Sequence, residues 1–74
     1  KSISYLIYDG TKCIFIVLNA NFMEWKWKLP NLGENSKWDL VLDSSQKIAE
    51  KEEFFSGKEF DVPAWSIVMF DIKL

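Results

Sequence analysis

Histidine and arginine are absent from this 74-residue chain, cysteine occurs once, proline twice and glycine three times. Each absence removes a class of chemistry. Without His there is no Ser-His or Cys-His dyad, no imidazole metal ligand and no side chain that ordinarily titrates between about pH 5 and 8. A single cysteine, Cys13, permits no intrachain disulfide, so the fold does not rest on the staples of small secreted domains and a cytoplasmic setting is expected. Cys13 has no neighbouring base or thiol and reads as an inert small core residue. The apolar run Cys13 to Leu18 falls far short of the roughly 20 residues that span a bilayer, and no signal segment opens the chain. No membrane partner is expected. With Lys rather than Met at position 1, the chain is expected to be a piece of a longer one.

What remains is apolar and aromatic: 49% of the residues are hydrophobic and 16% aromatic, with nine Lys against eleven Asp and Glu for a net charge of -2. Such a chain makes a single domain over residues 1–74, burying roughly 60–70% of its unfolded surface, and its composition opposes disorder. The periodicity is that of strands. Ile3, Tyr5 and Ile7 fall on one face of an extended segment, and Asp9-Gly10 follows as a hairpin signal, because a type I′ turn needs positive φ at both central residues. Cys13 to Leu18 is apolar on both faces, as expected of a central strand covered on both sides. Met23, Trp25, Trp27 and Leu29 alternate with Glu24, Lys26 and Lys28 until Leu29-Pro30 ends the strand. Trp38, Leu40 and Leu42 then alternate with Asp39, Val41 and Asp43.

Ser44 to Gly57 is charged at Lys47, Glu50, Lys51, Glu52 and Glu53, with Ile48, Phe54 and Phe55 as its anchors; it holds a helical turn or a short strand. Phe60 and Val62 alternate before Pro63, which marks a sheet edge. The last strand, Trp65 to Leu74, puts Ser66, Val68, Phe70, Ile72 and Leu74 on one face and Trp65, Ile67 and Met69 on the other. Short strands joined by turns, with no internal repeat, predict an all-β fold, a small antiparallel β-sandwich of about six to eight strands.

Catalysis finds no footing. Asp39 and Asp43 share a face of an extended strand, but their Cα atoms stand roughly 13 Å apart, against about 5–9.5 Å for a glycosidase pair. Glu50, Glu52 and Glu53 lack the Asp/Asn alternation and central Gly of a calcium loop; no metal and no cofactor are expected. Gly10, Gly33 and Gly57 are too scattered to cradle a phosphate. Trp25-Lys26-Trp27-Lys28 interleaves aromatics with positive charge, yet in a strand the Trp point one way and the Lys the other. With a net charge of -2 the counterion-release term would also be small, so no nucleic acid is expected. Four Trp in so short a chain leave a sugar platform to weigh: Trp25, Trp27, Trp38 and Trp65 either stack on a sugar ring or fill the core.

Specific words then recur in order: Phe15-Ile16-Val17-Leu18-Asn19-Ala20-Asn21, Trp27-Lys28-Leu29-Pro30, Trp38 through Leu42-Asp43-Ser44-Ser45, and Val62-Pro63-Ala64-Trp65-Ser66-Ile67-Val68-Met69-Phe70. This order resembles the C-terminus of the isoamylase and glycogen-debranching branch of the α-amylase superfamily of glycoside hydrolases, over nearly the whole chain. Asp43-Ser44 stands where Asp-Thr is more usual, and Trp65 where a polar or basic residue often precedes the Ser. The resemblance implies an α-amylase C-terminal-domain type of sandwich that packs against a catalytic (β/α) barrel of the same parent chain, in an enzyme cleaving α-1,6 branch points of glycogen or a related α-glucan; it does not separate these enzymes from pullulanase-type relatives. The family's catalytic carboxylates lie in the barrel, so no residue here inherits a catalytic role. Trp65 and the Phe54-Phe55 pair are the expected domain-interface residues. Two other readings stand beside this one. A carbohydrate-binding module would expose coplanar Trp to an α-glucan, and an unrelated interaction sandwich would offer a bare strand edge to a protein.

Overall fold

The computed structural model describes residues 2–47 and 52–73, apart from the side chain of Lys73. Ile48, Glu50, Lys51 and Leu74, named above, lie outside the described residues. Among the described residues the fold is all-β, with seven strands and no helix: β1 (Ser2–Tyr8), β2 (Lys12–Asn19), β3 (Trp25–Lys28), β4 (Lys37–Asp43), β5 (Glu53–Phe55), β6 (Glu59–Val62) and β7 (Ser66–Lys73). All pairings are antiparallel. A five-stranded sheet in the order β1-β2-β7-β4-β5 faces a two-stranded sheet of β3 and β6.

The core lies between them. On the inner face of the large sheet Phe15, Phe70 and Leu40 stand side by side, flanked by the pairs Cys13–Ile72 and Val17–Val68; all are buried. Phe60 and Val62 of β6 cover them, with Leu29 and the half-buried Trp27, while the half-buried Phe54 joins them from β5 of the large sheet itself. Phe70 meets Phe60 edge-on at a centroid distance of 4.8 Å and Phe54 at 5.4 Å, geometry that adds about 0.5–1.5 kcal/mol per pair beyond the area buried. Trp38, fully buried, donates its indole N–H to the Pro30 carbonyl at 3.0 Å. Pro30 thus ends β3 and also satisfies the one polar atom of the largest core side chain.

Several sequence expectations are corrected. The β1–β2 hairpin forms, but its central residues are Gly10 and Thr11, because the Asp9 N–H bonds to the Lys12 carbonyl. Within this turn Gly10 alone has positive φ, at 93°. Asp9 Oδ1 accepts from the N–H of Thr11 and of Lys12 at 3.0 and 2.9 Å and from the Thr11 hydroxyl. The middle strand is β7 rather than β2, and β2 is covered on one face only. Of the Met23 to Leu29 alternation, only Trp25 to Lys28 joins a ladder, opposite Val62 to Glu59, and Met23 is exposed.

A register shift between Leu40 and Leu42 marks a β-bulge in β4. The extra residue reverses the alternation: Leu42 turns outward opposite Met69, while Asp43 turns inward opposite Val68 and is buried. Asp39 and Asp43 therefore lie on opposite faces. Asp43 Oδ1 caps a turn, accepting from the Ser45 N–H at 2.9 Å and its hydroxyl at 2.7 Å. The Ser44 to Gly57 segment contains the short strand β5, and Trp65 precedes β7 rather than joining it.

Two outcomes are expected. Phe70→Ala should destabilise the chain by about 3–5 kcal/mol, and Tyr5→Ala, on the opposite face, by less than about 1 kcal/mol, as read from urea midpoints. The Asp9 carboxyl is held below its ordinary value of 3.8, chiefly by the Thr11 N–H, then by the Lys12 N–H and the Thr11 hydroxyl. Its contribution to the turn is therefore complete above that value and lost as pH falls through the lower folded one. In an acid titration by amide NMR, the Thr11 and Lys12 signals of the wild type should move late, below 3.8, and Asp9→Ala should abolish that step.

Candidate functional site

The outer face of the large sheet is apolar and uncovered. In the first row across the strands stand Ile3, Leu18 and Ile67; in the second Tyr5, Ile16, Met69 and Leu42; in the third Ile7, Ile14, Asp71, Asp39 and Glu53. Ile3, Tyr5, Ile7, Leu18, Leu42 and Ile67 are each 39–56% exposed, and Ile14, Ile16 and Met69 are half-buried. With strands about 4.8 Å apart and same-face residues about 6.8 Å apart along each strand, the apolar part covers roughly 400 Å² once side chains are included. Patches of that size mark interaction sites on soluble domains. β1 is open on its inner side as well, where Leu6 and Tyr8 are exposed. As an edge strand free of charge and Pro, it has none of the usual protection against pairing with another chain.

One end of the sandwich carries a second apolar group, built on a buried polar hub. Asn19, fully buried at the end of β2, donates through Nδ2 toward the carbonyls of Met23, Val62 and Pro63 at 3.0–3.2 Å. Its Oδ1 accepts from the backbone and side-chain nitrogens of Asn21 at 3.1 and 2.9 Å. This ties the 20–24 loop to the 62–65 turn. The Asn21 carbonyl in turn accepts the Trp65 N–H at 3.2 Å, and the Ser66 hydroxyl donates to the Pro63 carbonyl. Trp65 is thereby held at φ 53°, a left-handed conformation that costs an L-residue roughly 1–2 kcal/mol. Its indole is 69% exposed, beside a loop that also exposes Phe22 and Met23.

The four Trp therefore do not form one platform. Trp38 is fully buried and offers no face to a ligand. Trp25 and Trp27 share the inward side of β3, opposite Val62 and Phe60; Trp27 packs on the core while Trp25 is 50% exposed. Their lysine neighbours point outward. Lys26 bonds to Asp61 at 3.1 Å, which raises its ammonium above the ordinary 10.5. Of the expected interface residues, Trp65 and Phe55 are exposed, and Phe55 lies on the outer face opposite Lys37, whose ammonium sits 5.1 Å from its ring. Phe54 is half-buried and packs on Phe60 and Phe70.

Cys13 is a buried free thiol. Among the described residues no group of acids and cysteine could hold a metal ion. Sequence reasoning missed the Asn19 hub and the breadth of the outer face. The signal for the latter was present in the two-sided apolar run of β2.

No family model matches the chain, and no curated protein matches it.

The strain at Trp65 yields a direct test. Trp65→Gly removes an exposed indole and relieves the left-handed penalty. Urea unfolding should show a gain of about 0.5–1 kcal/mol; a loss of that size would mean the indole stabilises this chain from within.

Proposed function

We propose that this chain is a non-catalytic accessory β-sandwich of an α-glucan-debranching type of glycoside hydrolase, which packs its outer sheet face against the catalytic (β/α) barrel of the same polypeptide and steadies it. The observation that carries the reading is the uncovered row Tyr5–Ile16–Met69–Leu42 with its aliphatic neighbours. An apolar face of that extent suits an interface between domains of one chain, which buries about 600–1,500 Å². The ordered resemblance of the strand words to the debranching branch supports the identity of the parent. In this reading the hydrolysis of α-1,6 bonds belongs wholly to the barrel.

A second reading rests on Trp25 and Trp65, both at least half exposed. An α-glucan stacking on these rings would make the chain a carbohydrate-binding module. The third, strand addition at β1, draws on its unprotected edge.

The test uses the full-length polypeptide that contains this chain. Ile67→Asp places a charge on the outer face at a position exposed here, so the isolated chain should keep its stability. The full-length enzyme should lose roughly 5 °C of Tm and retain its kcat on a branched α-glucan. In parallel, the indole N–H signals of Trp25 and Trp65 should stay unmoved by millimolar branched α-glucan. An unchanged Tm with saturable indole shifts would replace the docking reading by the binding module.

A further inference from the structure

The two sheets differ in width, and the step between them has the shape of a strand. On the inner face of the large sheet Leu6 stands beside Phe15 and Tyr8 beside Cys13. Phe15 and Cys13 are each 5% exposed, whereas Leu6 is 51% and Tyr8 65% exposed. The cover that the small sheet provides therefore ends between β2 and β1, and the strand that ends it is β3. Glu59, Phe60 and Asp61 of β6 line a groove together with Lys47, Glu52 and Phe54, which turns the free edge of β6 toward β5. On the other flank of β6, β3 is the strand nearer β1. A shallow groove lined by Trp25, Lys26, Trp27 and Lys28 runs along its open edge.

The backbone groups along that edge can be placed. Leu29 donates its N–H to the Lys58 carbonyl and accepts from the Gly57 N–H, so Leu29, and by alternation Trp27 and Trp25, turn their backbone groups toward β6. Those of Lys26 and Lys28 point the other way, and among the described residues no backbone bond outside the ladder reaches them. The side chains alternate as well: Trp25 and Trp27 face inward, Lys26 and Lys28 outward. β6 shows what chemistry suits such a strand. It sets Asp61 opposite Lys26 and Glu59 opposite Lys28 while Phe60 and Val62 turn inward, and Lys26 bonds to Asp61 at 3.1 Å.

A second copy does not fit this edge. Two β3 strands paired with each other set lysine opposite lysine whenever the Trp of both face inward, and like charges in cross-strand register repel. Each of the seven strands of the chain already has its place in a sheet. Lysines on an edge strand discourage indiscriminate pairing, and carboxylates at the matching positions of a partner turn that deterrent into selection.

We propose that a separate polypeptide adds an extended strand to the free edge of β3, with Glu or Asp facing outward beside Lys26 and Lys28 and apolar side chains facing inward over Leu6 and Tyr8. Main-chain bonds to Lys26 and Lys28 supply affinity, and the alternation of side chains supplies specificity. One further strand, about 4.8 Å beyond β3, carries the cover across the width that leaves β1 bare. The site lies on the opposite side of the large sheet from the proposed barrel contact, and neither depends on the other.

The probe is a blocked seven-residue peptide in which Val or Leu alternates with Glu, titrated into the 74-residue chain and followed by NMR. The amides of Lys26 and Lys28, the Leu6 methyls and the Tyr8 ring should shift together and saturate, while Met69 on the outer face stays unmoved. Gln in place of Glu should weaken binding about fivefold, as expected for the loss of two exposed ion pairs, and Lys should weaken it further. Lys26→Gln with Lys28→Gln should remove the difference between the Glu and Gln peptides and leave the free chain folded. N-methylating the Glu residues or the apolar residues in turn should abolish binding in one case and spare it in the other, as pairing through one edge requires.

No saturable shift, shifts confined to β1 amides, or binding that survives both methylations overturns strand addition at β3. Equal binding of the Glu, Gln and Lys peptides overturns the acidic partner. In the full-length polypeptide the Lys26 and Lys28 amides should exchange with solvent until the peptide is added; protection without it means that the same polypeptide supplies the strand, and overturns a separate partner. Docking on the barrel is read independently, by the Tm of the full-length Ile67→Asp variant.

Discussion

Phe15, Phe70 and Leu40 lie side by side across β2, β7 and β4, and burying that row is what holds the two sheets together. The small sheet supplies Phe60 and Val62 from one strand and Trp27 from the other, just enough to cover it. The edge-on contact of Phe60 with Phe70 and the indole bond from Trp38 to Pro30 then set where the cover sits. In so short a chain nothing is left for the reverse side. Strand β2 is apolar on both faces, a pattern of strands covered on both sides, and the described residues of this chain cover one of them.

The buried polar side chains serve the strand ends. Asn19 and Asp43 are buried where strands end, and both are engaged there: Asn19 locks two loops to each other, and Asp43 caps the turn that follows β4. Their hydrogen bonds satisfy the backbone that leaves the sheet. They also hold the loops still, so the end that presents Phe22, Met23 and Trp65 is preorganised rather than soft. The rigid end and the uncovered face use the same device, apolar groups held in place by a frame that does not need them for its own stability.

Much of the frame is legible in the sequence because burial on one face writes a period of two. The β7 alternation of Ser66, Val68, Phe70 and Ile72 is read directly, and all four are buried. The hairpin is legible at Asp9-Gly10, but not the placement of its central pair, which depends on where the Asp9 side chain finds its donors. The bulge is marked in the sequence only by Val41, an apolar residue where the alternation of Asp39 and Asp43 calls for a polar one; the inserted residue sends Leu42 out and Asp43 in. The Trp residues show the same limit. A period labels two faces without saying which is inside, so buried Trp38 and half-exposed Trp25 look alike until the second sheet is placed. The face itself was hidden for a related reason. A strand apolar on both sides predicts two covers, and only the topology shows that this chain brings one.

The row Ile7–Ile14–Asp71–Asp39–Glu53 bears on the same point from the side of stability. Judged as a lone domain, the chain would gain by replacing Asp39 or Asp71 with Thr, since that removes a like-charge cross-strand contact; Glu53 already has Lys37 beside it, at 3.9 Å. It would gain again from polar residues at Ile3, Tyr5 and Ile67, which protect nothing here and invite association. The outer face carries most of these departures, although Leu6, Tyr8 and Trp25 are exposed on the inner side as well; no buried side-chain polar atom lacks a partner among the described residues. A sequence that pairs its buried polar atoms and leaves a broad apolar face outside places its unmet requirement where another surface can meet it.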